Sequence, residues 1–220
     1  MSRPRRSRRR LHFLVTAGPT REPLDDVRFL SNASSGRLGF AVAAAAALAG
    51  HRVTLVAGPV ALRPPAGVKT VPVVTALEMR DAVRAAFPSA DALVMTAAVS
   101  DHRPARRRRG KEKKGASRVL LPLVRNPDIV AEAGRKKGAR VVVGFAVEVA
   151  GALSHARRKL REKRLDALCL CSPAAFEASS ADYRFLLPGG TVEVMPGVPK
   201  AALARRIVEF VENNVDGRAG

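Results

Sequence analysis

The chain has 220 residues, enough for one domain with a sizeable core. Aromatic residues make up only 4% of it, so we expect the core to consist mainly of Ala, Val and Leu. No stretch approaches the roughly 20 apolar residues of a membrane-spanning helix, and no long apolar run follows the basic N-terminus. We therefore expect a soluble, cytoplasmic protein with no membrane partner.

The net charge of +20 is concentrated in two segments, residues 1–10 and 103–118, which together supply +14. Like charges at this density repel one another, so we expect residues 1–10 to form a disordered tail. Nucleic acid is expected as a partner only through this tail. The run Arg106–Arg109 is interpreted as solvated surface.

Apolar runs alternate with helical segments along most of the chain. The predicted strands are 11–16, 52–57, 70–74, 91–96, 140–145 and 166–171. The predicted helices are 38–49, 76–86, 128–135, 152–163 and 201–213. Nearly continuous apolar strands indicate a parallel sheet covered on both faces. We predict an α/β fold at residues 11–215: a Rossmann-like, doubly wound, mostly parallel sheet with helices on both faces.

Two regions depart from this alternation. Residues 105–124 are basic and glycine-containing, and we predict a flap or hairpin there. Residues 183–187 and 191–195 flank Pro188-Gly189-Gly190, which predicts a C-terminal β-hairpin. Cys169 and Cys171 lie two apart on a predicted strand, so their side chains share one face, and we interpret them as free thiols.

The connection between the first strand and the first helix is unusually long for an α/β domain. It contains two arginines and Asn32, and it ends with Ser34-Ser35-Gly36 at the helix start. The free N–H groups and the positive dipole end of that helix can bind a phosphate. The spacing matches neither the dinucleotide fingerprint nor the P-loop.

Other polar segments follow later strands and converge at the same sheet edge, where open parallel sheets bind ligands. We predict one nucleotide-sized site there. Asp101 is a candidate for binding ribose hydroxyls or a magnesium ion, with a turn cap as the alternative. As an alternative, Asn126 fits the N-cap of a helix and Pro127 fits its first turn. Phe145 either packs near a base or belongs to the core, and Lys159 and Lys163 share one helix face.

Six segments occur in an order that resembles the phosphopantothenoylcysteine synthetase family, in its bacterial, CTP-dependent form. They begin with residues 16–39. The others are Ala97-Ala98-Val99-Ser100-Asp101-His102-Arg103-Pro104, Lys111-Glu112-Lys113-Lys114, Asn126-Pro127-Asp128-Ile129, Gly144-Phe145-Ala146-Val147-Glu148, and Lys159 and Lys163 followed by Leu165-Asp166. The resemblance covers about residues 11–211.

The resemblance implies a ligase of coenzyme A biosynthesis that joins 4′-phosphopantothenate to L-cysteine. CTP would be the co-substrate, Mg²⁺ would accompany it, and no flavin is expected. The implied catalytic residues are Asn32, Arg28 and Lys111, with Asn32 acting in the second half-reaction and a helix N-cap as its alternative role. The implied nucleotide-binding residues are Gly18, Ser34, Ser35, Gly36, Ala98, Asp101, Asn126, Pro127, Asp128, Ile129, Phe145, Lys159 and Lys163.

The family also implies a homodimer, for which the C-terminal hairpin is a candidate interface. Only ten tail residues precede the first strand, so we expect the family's decarboxylase to be a separate partner, if any. The chain departs from the family at Leu170-Cys171-Ser172 and at Val149 after Glu148. Two alternatives stay open: an ATP-using version of the ligase, and a degenerate member that binds nucleotide or nucleic acid.

Overall fold

The computed structural model describes residues 9–110, 119–148, 152–176 and 178–217. The strands in these residues are β1 (His12–Ala17), β2 (Arg21–Pro23), β3 (Phe29–Ser31), β4 (Arg52–Ala57), β5 (Lys69–Pro72), β6 (Ala92–Met95), β7 (His102–Pro104), β8 (Leu123–Arg125), β9 (Val141–Val147), β10 (Ala167–Cys171), β11 (Ser180–Leu186) and β12 (Val192–Pro199). The α-helices are α1 (Arg37–Leu48), α2 (Ala76–Ala86), α3 (Ile129–Arg135), α4 (Ala152–Glu162) and α5 (Lys200–Asp216).

Eight strands form one central sheet in the order β12-β11-β10-β9-β6-β1-β4-β5. The six strands from β10 to β5 are parallel. Strands β11 and β12 extend the sheet as an antiparallel hairpin. The predicted Rossmann-like α/β fold and its C-terminal hairpin are therefore confirmed, although the hairpin strands are longer than predicted.

The sheet is buried on both faces because its side chains alternate between two apolar layers. Phe13, Val15 and Ala17 of β1 point into a layer with the apolar residues of α1 and α5. Leu14 points to the other side, where it joins residues of α2, α3 and α4. Full burial of each large apolar side chain contributes about 1.5–3 kcal/mol. The two layers consist mainly of Ala, Val and Leu, as the composition predicts.

Two small hairpins at the carboxyl-end side of the sheet form separate two-stranded sheets. Strands β2 and β3 form the first, within the connection between β1 and α1, which is therefore more ordered than a simple anion-binding loop. Its turn is closed by Asp25, whose Oδ1 accepts from the main-chain N–H groups of Val27 and Arg28. Strands β7 and β8 form the second hairpin, at the base of the predicted flap. Residues 111–118 of that flap lie outside the described residues.

The start of α3 corrects the sequence interpretation. Asp128, not Asn126, is the N-cap, and its Oδ1 accepts from the N–H of Ala131 at 3.0 Å. Pro127 disfavours helical geometry in the residue before it, which is why Asn126 stays outside the helix.

Cys169 and Cys171 are free thiols that contact the same apolar layer, as predicted. No helix in the described ranges is long and apolar enough to cross a membrane.

Candidate functional site

A cleft of about 900 Å³ lies at the carboxyl ends of the central parallel strands. Its size falls within the usual range for ligand sites. The parts of the chain that line it include Asn32, the segment from Met95 to His102, the segment from Arg125 to Val130, the end of β9, Lys159, Lys163 and Phe176. Residues far apart in the sequence thus meet at one edge of the sheet.

The long connection is attached to the segment after β6. Pro19 pairs with Ala98 in an isolated parallel bridge, and the Thr20 N–H donates to the Ala98 carbonyl at 3.3 Å. The Thr20 hydroxyl in turn accepts from the Ser100 N–H at 3.0 Å. Both Thr20 and Ser100 are buried. These bonds continue the pairing of β1 with β6 into the loops and hold the floor of the cleft.

Asn32 is fixed against this floor by its side-chain amide. Its Nδ2 lies 3.1 Å from the Ala98 carbonyl oxygen and 3.2 Å from that of Val99. The N-cap of α1 is Gly36, which has a positive φ of 73°, so Asn32 does not cap that helix. The amide therefore lies on the cleft wall, within reach of a bound ligand.

Asn126 is held by both ends of its side-chain amide. Its Nδ2 donates to the Ser100 carbonyl at 2.8 Å, and its Oδ1 accepts from Arg103 Nη1 at 3.0 Å. The same guanidinium donates to the Arg125 carbonyl at 2.7 Å. The amide thus ties together the two polar segments that follow β6 and precede α3. Its contribution to the cleft is to position main-chain groups.

Two ion pairs lie along one side of the cleft. Lys159 Nζ contacts Glu148 Oε1 at 2.6 Å, and Lys163 Nζ contacts Asp128 Oδ2 at 2.9 Å. The hydrogen bond from Lys159 lowers the pKa of Glu148 below its usual value, and His155 adds a smaller effect in the same direction. Both lysines are partly exposed, so these are pairs of modest strength. An incoming polyphosphate can compete for both ammonium groups.

Asp101 is an exposed carboxylate on the cleft wall. Its main-chain carbonyl accepts from the Asn126 N–H at 2.8 Å, and none of the described residues donates to its side chain. The described residues contain no cluster of three or more His, Cys, Asp or Glu side chains that could hold a metal. Mg²⁺ in nucleotide sites commonly takes one or two carboxylates and substrate phosphates. Asp101 fits that type of site.

The apolar part of the cleft is formed by Pro127, Ile129 and Phe145. Ile129 is only 3% exposed and belongs to the layer shared with α2 and α4. Phe145 is partly buried, packs against the opposite layer and still faces the cleft. The core role and the cleft role proposed for Phe145 are thus compatible.

A smaller pocket adjoins the cleft at the N-terminus of α1 and is lined by Ser34, Ser35 and Gly36. The Ser35 hydroxyl donates to the Phe176 carbonyl at 3.0 Å. A Cβ at Gly39 would lie 2.5 Å from both Ala17 Cβ and Thr96 Oγ1. Only glycine there lets the first turn of α1 approach β1 this closely.

Most of the sequence-predicted site residues are brought together in these two cavities. Gly18 lines neither; it has a positive φ of 77° and packs closely against Val60 and Gly58, so it shapes the backbone. Arg28 lies on the β2–β3 turn, where its guanidinium contacts Asp25 Oδ2 at 2.5 Å. Lys111 lies outside the described residues.

Sequence reasoning missed several residues of the site. Thr20, Ser100 and Arg103 act by hydrogen bonds to residues distant in the chain, and nothing in their local sequence indicates those partners. Glu148 lies within one of the motif segments but was assigned no role. Phe176 lies in none of the motif segments, and only the three-dimensional structure shows that it lines the cleft.

The fold and this cleft define an α/β domain with a ligand-sized cleft at the carboxyl ends of its parallel strands. The family model described as the DNA/pantothenate metabolism flavoprotein C-terminal domain matches residues 9–215. The chain therefore belongs to this family, which confirms the assignment that the sequence motifs indicate.

Among curated relatives, the coenzyme A biosynthesis bifunctional protein CoaBC of Escherichia coli K12 is 49% identical over 163 residues, covering 72% of this chain and 40% of that protein. The protein of the same name from Mycobacterium tuberculosis H37Rv is 44% identical over 214 residues, covering 90% of this chain and 51% of its own length. The chain thus spans about half the length, or less, of these relatives.

A crystal structure of the C-terminal domain of a coenzyme A biosynthesis bifunctional protein CoaBC is similar to this chain along almost its entire length. It superposes with a TM-score of 0.81 at 34% identity, covering 94% of this chain and 96% of that domain. The match is therefore to the C-terminal part of the bifunctional proteins.

Proposed function

We propose that this chain is a phosphopantothenate–cysteine ligase that uses CTP. The observation that carries the proposal is the single cleft in which Asn32, Asp101, residues 126–129 and two lysines meet, in a member of this family. The relatives are named for coenzyme A biosynthesis, and a ligase of phosphopantothenate and cysteine belongs to that chemistry. The proposed setting is the cytoplasm.

The proposed reaction has two steps. The carboxylate of 4′-phosphopantothenate attacks the α-phosphorus of CTP, so that an acyl-cytidylate forms and pyrophosphate leaves. The amine of L-cysteine then attacks the acyl carbon, forms the amide bond, loses a proton and expels CMP. Activation is required because a carboxylate at neutral pH is a poor electrophile, whereas a mixed anhydride has a good leaving group.

We propose that the cations of the cleft stabilise the negative charge of the triphosphate. Lys159 and Lys163 can exchange their carboxylate partners for phosphate oxygens, and Asp101 would hold the Mg²⁺ that accompanies the triphosphate. A bound Mg²⁺ neutralises phosphate charge. We propose that Lys111 approaches the triphosphate from the flap and that Arg28 supports the second step, as the family resemblance implies.

Asn32 is proposed to act on the acyl-cytidylate. Its amide bonds to the Ala98 and Val99 carbonyls are at the long end of the normal range, which favours exchange of one of them for the acyl oxygen. A donor at that position stabilises the negative charge that develops as the amine attacks.

Selection of CTP is proposed to depend on residues 126–129. The side-chain amide of Asn126 is used by Ser100 and Arg103, so base recognition is left to main-chain groups and to Asp128 Oδ2, once a phosphate takes its partner Lys163. A carboxylate can accept from the exocyclic amine of cytosine.

We also propose a homodimer, with an interface different from the expected one. Seven of the ten exposed large hydrophobic residues in the described chain lie on or beside the hairpins β2–β3 and β7–β8, whereas the C-terminal hairpin exposes only Val194. Apolar residues gathered on one surface favour an interface there. A decarboxylase is a further proposed partner, because the relatives are bifunctional.

Pyrophosphate release tests the proposal when phosphopantothenate, cysteine and each nucleoside triphosphate are supplied under saturating Mg²⁺. We expect turnover with CTP far above that with ATP. Lys159→Met should reduce turnover, whereas Arg158→Met, on the exposed face of the same helix, should not. Equal rates with both nucleotides would contradict base selection by residues 126–129. Salt-dependent binding to DNA without any turnover would contradict the ligase.

A further inference from the structure

Strand β2 contains a carboxylate that is buried outside both cavities. Glu22 is only 1% exposed, less than any other acidic or basic residue that the structure describes. Burying a carboxylate is costly unless it is hydrogen-bonded, so such a group normally has a defined partner. Glu22 lines neither the cleft nor the smaller pocket, so it has no direct contact with a ligand bound there. Its role therefore lies in the elements that it connects.

Glu22 connects the β2–β3 hairpin to the N-terminus of α2. Its Oε1 accepts from the main-chain N–H of Ala76, the first residue of that helix, at 3.0 Å. The positive end of the helix dipole favours a carboxylate at this place. A second bond runs from the Arg21 N–H to the Val74 carbonyl at 2.8 Å. Strand β2 is thus attached beside the start of α2 at two consecutive residues.

The hairpin extends this attachment to Asn32. Strand β3 pairs with β2, and Ser31 lies opposite Arg21. The Ser31 hydroxyl also donates to the Thr20 carbonyl at 2.8 Å. Asn32 follows Ser31 directly in the chain, so the place where Glu22 holds β2 determines where the Asn32 side chain begins.

Asn32 depends on this attachment because its own contacts are weak. The residue is exposed, and its amide bonds to the Ala98 and Val99 carbonyls are 3.1 and 3.2 Å long. Among the described strands, β3 pairs with β2 alone. The ladder between β2 and β3, together with the buried bond of Glu22, is therefore what places the Asn32 amide at the cleft.

We propose that Glu22 is a positioning residue for Asn32: its buried bond to α2 holds the β2–β3 hairpin, and the hairpin sets the distance between the Asn32 amide and the acyl group of the intermediate. The reaction step that this affects rests on the proposed function. The position of the amide does not, and it is measurable without turnover.

Two variants of Glu22 separate positioning from simple loss of stability. Glu22→Met has a similar length but no acceptor for the Ala76 N–H, whereas Glu22→Gln keeps an acceptor oxygen. A misplacement of about 1 Å can cost about 10²-fold in rate, so Glu22→Met should slow the cysteine-dependent step by about 10- to 100-fold. Its first burst of pyrophosphate should match the wild type. Glu22→Gln should restore most of the second step in the same rapid-quench assay.

Glu212→Met is the matched control. Glu212 is also a buried glutamate with a defined hydrogen bond, since its Oε1 lies 3.0 Å from His51 Nε2. His51 directly precedes β4, so this pair lies at the amino end of the parallel strands, away from the cleft. The substitution makes the same chemical change and should lower the thermal unfolding midpoint, but it should slow neither half-reaction.

Ala76→Pro removes the same bond from the donor side, and it serves as the test if Glu22→Met does not fold. Proline has no N–H and is suited to the first position of a helix. Thr75 already has an extended backbone with ψ of 164°, the geometry favoured before a proline. Ala76→Pro should slow the second step as Glu22→Met does.

The position of Asn32 can also be measured by NMR in the full-length protein without substrates. Its side-chain amide signals are assigned by their loss in Asn32→Ala. Glu22→Met should shift these signals, whereas Glu22→Gln and Glu212→Met should leave them at their wild-type positions. Unshifted signals in both Glu22→Met and Ala76→Pro would overturn the positioning role, and so would equal slowing of both half-reactions. Shifted signals in a protein whose wild type shows no turnover would keep the positioning role and contradict the ligase.

Discussion

Asn32→Asp gives the most direct test of the proposed second step. The wild-type amide donates to the Ala98 and Val99 carbonyls at 3.1 and 3.2 Å. A carboxylate cannot donate, so both bonds are lost and its oxygens are repelled by the two carbonyls. Two neutral hydrogen bonds are worth about 1–3 kcal/mol of stability together, and the exposure of Asn32 places the loss at the low end. The variant should therefore fold.

The kinetic effect should be much larger than the effect on stability. Loss of one donor to a developing oxyanion typically costs about 10²–10³ in rate. The activation step does not use this donor, so acyl-cytidylate should accumulate after a single burst of pyrophosphate. Rapid-quench assays of pyrophosphate and mass spectrometry of the bound intermediate measure both events.

Asn32→Ala is the control for charge, because it removes the donor without adding a carboxylate. It should slow the second step less than Asn32→Asp. If Asn32→Asp releases no pyrophosphate, or no longer binds CTP, then Asn32 acts in nucleotide binding and the assignment is wrong.

Three further predictions concern the backbone, the flap and pH. Gly58→Ala places a Cβ 1.9 Å from the Pro19 carbonyl oxygen, so it should cost about 1–3 kcal/mol or more in chemical denaturation; an unchanged midpoint would contradict this close packing. Lys111→Ala should lower turnover strongly with little change in thermal stability, and normal turnover would remove its proposed role. Hydrogen bonds from the Arg28 side chain, and then from main-chain N–H groups, lower the pKa of Asp25 to about 2. Its stabilising contribution is complete above about pH 4 and is lost as the pH falls toward 2, so denaturation curves of Asp25→Asn should show a smaller loss over that interval.

The central sheet was predictable because the amino-acid composition of each strand by itself indicates a buried strand. Strands such as β4 (Arg52–Ala57) are mostly apolar runs between helical segments, and this pattern is typical of a parallel sheet covered on both sides. Helix α2 (Ala76–Ala86) matches its prediction at both ends, and its start is fixed locally because the Thr75 side chain accepts from the Glu78 N–H. Local chemistry determines such elements, so sequence reasoning finds them.

The small hairpins were not predictable in the same way. Strands β2 and β3 have three residues each, too few to show a period. They are held by contacts with distant residues, including the Arg108 N–H bond to the Leu24 carbonyl and the Arg107–Asp26 ion pair. The long connection was correctly identified as unusual, but its hairpin depends on partners some eighty residues away.

The cleft shows why the sequence predicts that polar segments meet at one edge of the sheet but does not predict what each residue does there. The sequence predicts Lys159 and Lys163 on one helix face; in the structure Lys163 lies one residue after the end of α4, one turn beyond Lys159. Their partners Glu148 and Asp128 come from two other parts of the chain. Exposed ion pairs of this kind contribute roughly 0–1 kcal/mol each, so they hold the lysines at the cleft without binding them tightly. A triphosphate offers more charge than either carboxylate and can displace both. In the proposed function, release of Asp128 from Lys163 would free a carboxylate to contact the base, and phosphate binding and base recognition would then be coupled through one ion pair.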